Sequence, residues 1–88
     1  MKYTIKQTRC TEGIDYLYIY LPGLFQWPTE LLAELEMEPH YITTVGHNPQ
    51  TNMSSLRRME YGTDRVTLMA RADSIAQAAI EVVMRYQP

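Results

Sequence analysis

A chain of 88 residues with 45% hydrophobic and 20% charged side chains has room for one hydrophobic core, and its composition excludes disordered, collagen-like and coiled-coil classes. The net charge of −2 is unevenly spread: residues 1–48 hold three cations against six carboxylates, and residues 49–88 hold five arginines against four. Neither half has the strongly positive stripe of a phosphate-backbone binder, so nucleic acid is not the expected partner.

We expect one domain over residues 1–88, in a reducing, cytoplasmic setting. Cys10 is the single cysteine and lacks the second thiol or nearby histidine pair that a disulfide or zinc site needs. No secretory leader is expected, because residues 1–9 contain no apolar run. No membrane span is expected either: Leu17 to Phe25 is the most apolar stretch, but Pro22-Gly23 breaks it and it falls far short of the ~20 residues a span requires. A chain this short buries only about 60% of its unfolded surface, which makes a homodimer a natural source of extra stability.

Tyr3 to Cys10 and Ile14 to Leu21 alternate in polarity around Thr11-Glu12-Gly13 and predict a β-hairpin. Setting Cys10 opposite Ile14 pairs Arg9 with Asp15, Gln7 with Leu17 and Ile5 with Ile19. The other face then carries Tyr16, Tyr18 and Tyr20 beside Lys6. Pro28-Thr29-Glu30 opens a helix running to about Met37, stopped by Pro39; Leu31, Leu32 and Leu35 form its apolar stripe, and Glu30, Glu34 and Glu38 recur every four residues elsewhere on it. No lysine or arginine lies within that helix to relieve the glutamates. Trp27 is expected to staple the first helical turn.

Tyr41 to Val45 reads as a short strand and Gly46 to Ser55 as the longest loop. Leu56 to Tyr61 and Arg65 to Arg71 read as a second hairpin about Gly62-Thr63-Asp64. Ser74 to Gln77 fits a capping box that starts a helix reaching about Tyr86, with Ile75, Ala79, Ile80 and Val83 on one stripe. The predicted fold class is therefore α+β: a two-layer sandwich of order β-β-α-β-β-β-α, with a mostly antiparallel sheet of about five strands and both helices on one face. The connection from the second strand through the helix to the third resembles a crossover, which would make those two strands parallel.

Three surfaces are candidates for contact. Tyr16, Tyr18 and Tyr20 with Lys6 offer large area and polar tips, against the alternative of a solvated face that uses tyrosine for its strand propensity. Glu30, Glu34 and Glu38 offer an acidic docking face, against the alternative of pairing with the chain's own arginines. His47 and Asn48 are the loop candidates. Neither His47, His40 nor Cys10 shows the orienting carboxylate or nucleophile that catalysis needs, nor the spacing of a metal site, so no catalytic residue, metal or cofactor is expected.

The expected function is a small non-enzymatic protein-binding module acting through its surface, as an inhibitor or adaptor of the kind mobile elements carry, or as a homo-oligomer. One alternative is a nucleic-acid-associated module using the aromatic sheet face with Lys6, Arg57 and Arg58. Another is a small enzyme or ligand binder built around His47.

Overall fold

A computed structural model describes residues 2–9, 14–38, 42–61 and 64–85. Cys10, Thr11-Glu12-Gly13, Pro39, His40, Tyr41, Gly62-Thr63 and Tyr86, on which several expectations rest, lie outside the described residues. The elements are β1 (Thr4–Arg9), β2 (Ile14–Pro22), α1 (Thr29–Glu36), β3 (Ile42–Asn48), β4 (Met53–Tyr61) and α2 (Arg65–Arg85). They form an α+β fold with one antiparallel four-stranded sheet in the order β1-β2-β4-β3.

Strict alternation fixes the register of the first hairpin. Arg9 pairs with Asp15, Gln7 with Leu17 and Ile5 with Ile19, as the polarity pattern requires. A slip of one residue would carry Leu17, Ile19 and Leu21, each at most 1% exposed, out of the core. These three meet Leu56 of β4, Leu35 of α1, and Leu68, Ala72, Ile75, Ala76 and Ala79 of α2 in one core cluster, which places both helices on the same side of the sheet. Among the described residues, no helix covers the opposite side.

Among the described residues, the expectation of about five strands is corrected to four. Arg65 to Arg71 is not a strand: it forms the first two turns of the 21-residue helix α2. Two features outweigh its local alternation. Asp64 accepts hydrogen bonds from the Thr67 backbone N–H at 3.0 Å and the Thr67 hydroxyl at 2.9 Å, so it caps the helix from outside. The buried positions Leu68, Ala72, Ile75, Ala76 and Ala79 then follow helical spacing, leaving Val66 80% exposed. Ser74 consequently lies in mid-helix and starts nothing.

The bonds from Thr67, backbone first and hydroxyl second, hold the Asp64 carboxyl below its usual range. A depressed folded-state value means that the cap's stabilisation is complete above the ordinary carboxylate pKa and is lost as pH falls through the folded one. Asp64→Asn should therefore flatten the acid limb of a thermal-melt titration while leaving neutral-pH stability close to wild type. An unchanged acid limb would refute the cap.

The 46–55 segment is also corrected. Gly46 to Asn48 and Met53 to Ser55 continue the β3–β4 ladder, leaving a turn of only Pro49 to Asn52. Asn52 closes it at φ 51°, a left-handed conformation that asparagine tolerates better than most residues. The crossover reading fails as well. β2 pairs with β4 along nine register positions, β3 sits outside β4, and every pairing is antiparallel.

Between β2 and α1 the chain turns at Gly23, whose φ of 76° favours a residue without a side chain. Buried Ser54 anchors this turn, donating to the Gly23 carbonyl and accepting from the Phe25 N–H, both at 2.7 Å. Trp27 enters the core edge-on to Phe25, with ring centres 5.0 Å apart, while Leu24 is left 83% exposed.

Candidate functional site

Strand parity divides the sheet into two chemically distinct faces. On the open face, β2 contributes Tyr16, Tyr18 and Tyr20, all half-buried among their neighbours. Tyr18 and Tyr20 have ring planes within 6° of parallel and centres 5.9 Å apart; Tyr16 and Tyr18 lie 6.3 Å apart at 41°. Burial raises the Tyr20 phenol above its ordinary pKa, with Tyr18 adding to the effect, so Tyr20 keeps its proton in the physiological range. Lys6 of β1 is the register partner of Tyr18 on one side, and Arg57 of β4 on the other. The Arg57 guanidinium lies 5.4 Å from the Tyr16 ring centre, within cation–π range. Met53, Met59 and Ile42 extend the apolar surface, and Ile42 is 59% exposed.

No described strand position on this face carries a carboxylate. The described acidic residues lie on the core-side parity of the strands, in α1 or just after it, at the cap of α2 or within α2.

The core face ends in a partly buried ion cluster, in which Glu38 pairs with the chain's own arginines. Arg58, fully buried, is the next residue after Arg57 and so points the other way. Its Nε lies 2.9 Å from Glu60, itself 2% exposed, and its Nη2 lies 3.1 Å from Glu38. Arg71 of α2 meets the same Glu60 at 2.6 Å and also pairs with Glu38. Desolvation pulls the Arg71 guanidinium down, but hydrogen bonds to Glu38 and Glu60 outweigh it and leave its pKa raised. Beside them Asp15, 2% exposed and the register partner of Glu60, is held by Arg9 at 3.2 Å and Gln7 at 3.4 Å. Three arginines thus balance three carboxylates. Two acids opposed across strands would otherwise repel.

Of the predicted contact residues, the structure brings Tyr16, Tyr18, Tyr20 and Lys6 together on one face. It separates the glutamates: Glu30 and Glu34 are exposed on α1, whereas Glu38 is engaged by Arg58 and Arg71. Glu38 is therefore withdrawn from the acidic docking surface. Arg57 belongs with the tyrosines and Arg58 with the core, as adjacent strand residues must.

His47 and Asn48 are the last residues of β3. The exposed His47 Nε2 lies 3.0 Å from the Asn52 side-chain oxygen, and the Asn48 side chain accepts from the Gln50 N–H at 2.9 Å. Both tie the turn to itself. Among the described residues there is no cluster of histidine, cysteine and carboxylate groups fit to hold a metal ion, and no helix is long and apolar enough to cross a membrane.

No family model, curated protein or solved structure matches this chain. Function must therefore be argued from the surfaces alone.

Proposed function

We propose that the chain is a small non-enzymatic protein-binding module whose open sheet face covers a surface of a larger protein, in the manner of an inhibitor or adaptor. The observation that carries this reading is the composition of that face: a row of three tyrosines, two methionines, an exposed isoleucine, one arginine over a tyrosine ring, and no carboxylate at any described strand position. Tyrosine, methionine and arginine are enriched in protein interfaces, and aspartate and glutamate are depleted there. Stiff aromatic side chains also lose little entropy when immobilised.

A protein partner suits this face better than a nucleic acid. Lys6 and Arg57 are its two described cations, enough for few phosphate contacts, and the chain as a whole is net negative. Face-to-face self-association would bring the same two cations toward their copies, so the reading favours a different protein with acidic groups beside apolar ones.

Capture from the native cell by tagged wild type, Tyr18→Ala, Arg57→Glu and, as a control, the α1 variant Glu34→Gln tests it. The expected result is a protein retained by wild type and Glu34→Gln and lost from both face variants. An interface hot spot contributes about 2 kcal/mol, or roughly thirty-fold in affinity. Equal retention by all four proteins, with circular dichroism showing each folded, would overturn the assignment.

A further inference from the structure

The two edges of the sheet are guarded differently. β1 carries Lys6 and Arg9, charges of the kind that keep a free strand edge from recruiting other chains, whereas β3 carries no lysine, arginine, aspartate or glutamate from Ile42 to Asn48. β3 is the outermost strand on its side, so one row of its backbone N–H and C=O groups faces away from β4. Its exposed side chains do not screen that row: Val45 is 43% exposed and Gly46 has no side chain.

Beside this edge lies a cleft of about 450 Å³ lined by Leu24, Phe25, Trp27, Leu32, Val45 and His47, among others. Its walls come from the turn after β2, from α1 and from the core-side parity of β3. A strand added outside β3 would send alternate side chains to that same side, where the cleft could receive a bulky apolar one.

The charge of this region is one-sided. No lysine or arginine occurs between Arg9 and Arg57, a span that contains all of α1 and β3. α1 packs on β3 and keeps Glu30, Glu34 and Glu36 exposed after Glu38 has been taken by Arg58 and Arg71. A second copy pairing through the same edge across a two-fold axis would set one acidic α1 toward another. A basic segment would instead be drawn to it.

The geometry points to β3 as a docking edge for an extended, lysine- or arginine-bearing segment of another protein, which adds as a fifth strand and seats an apolar side chain in the cleft. Main-chain hydrogen bonds supply affinity, the cleft selects the anchor residue, and α1 selects the flanking charge. This edge adjoins the tyrosine face at Ile42, but the inference does not rest on the reading of that face.

The test uses the full chain and short fluorescent peptides of alternating lysine and threonine around a central leucine. The comparison peptides have glutamate for lysine, serine for the leucine, or N-methyl groups on alternate backbone nitrogens. The basic leucine peptide should bind best, with amide shifts concentrated at residues 42–48, and each altered peptide should bind at least ten-fold more weakly. Leu24→Ser and Val45→Lys should each weaken it at least five-fold, while Tyr18→Ala should leave it unchanged.

Three results would overturn the proposal. One is equal binding of the parent and N-methylated peptides, which would mean attraction by charge alone. Another is the absence of binding by any peptide. The third is a wild type that elutes as a dimer and becomes a monomer on Val45→Lys, which would make a second copy the occupant of the edge.

Discussion

Arg58→Met should destabilise the fold by about 3–5 kcal/mol, the usual cost of removing one member of a buried ion pair. The guanidinium is fully buried, and its loss strips Glu60, 2% exposed, of one of two cations and Glu38 of another. Arg71 remains within 2.6 Å of Glu60, but it is about a third exposed and reaches from the helix layer, so it cannot replace a charge seated in the sheet. Against the 5–15 kcal/mol that separates folded from unfolded in ordinary domains, such a loss is large.

The companion experiment separates a missing charge from a missing side chain. Arg58→Met combined with Glu60→Leu removes both members of the pair and leaves apolar groups of similar size, which is commonly neutral or even stabilising. Urea unfolding should show the double variant recovering most of the loss. A single variant within about 0.5 kcal/mol of wild type, the range of ordinary surface substitutions, would mean that the cluster is not buried as described.

Leu68→Ala should cost about 2–5 kcal/mol, as for large-to-small changes at buried leucines. Leu68 is fully buried and joins the first turns of α2 to the core cluster. Val66→Ala, two residues earlier, should change stability by no more than about 0.5 kcal/mol, because Val66 is 80% exposed. The contrast reports directly on local structure. In a strand, positions 66 and 68 would share a face and both substitutions would be costly; in a helix they diverge, and one is silent.

That pair of residues also shows where the sequence was ambiguous. Arg65 to Arg71 alternates well enough over seven residues to resemble a strand, and a short window cannot separate the two periods. The discriminating pattern extends from Leu68 to Ala79, beyond the window, and the Asp64 cap that starts it resembles a hairpin turn when Gly62 stands two residues before. Misplacing this helix hid the true partner of β4. Leu56 to Tyr61 had then to be paired forward in the chain, when it pairs backward with β3 and across to β2.

The first hairpin was legible because a register error there is expensive on both faces at once. Alternation over Ile14 to Leu21 leaves one solution that buries Leu17, Ile19 and Leu21, and the tyrosine row follows from it. That Glu38 pairs with the chain's own arginines was one of two readings, but which arginines was not legible, because Glu38, Arg58 and Arg71 come from three separate stretches, just after α1, in β4 and in α2. A faint signal existed. With Leu56 assigned inward, strand parity also sends Arg58 and Glu60 inward, and two buried charges on one strand call for partners from elsewhere. Glu38, last of the periodic glutamates, is one of those partners, which is why the acidic row is shorter in the fold than in the sequence.

The strand order has a consequence for the chain as it is being synthesised. β2 lies between β1, made just before it, and β4, made after α1 and β3. The first hairpin therefore emerges with one side of its most apolar strand lacking its neighbour, and Leu17, Ile19 and Leu21 stay uncovered until residues 53–61 arrive and α2 closes over them. A nascent chain in that condition has a sticky, half-finished sheet, and the condition persists until both β4 and α2 have been made and have emerged.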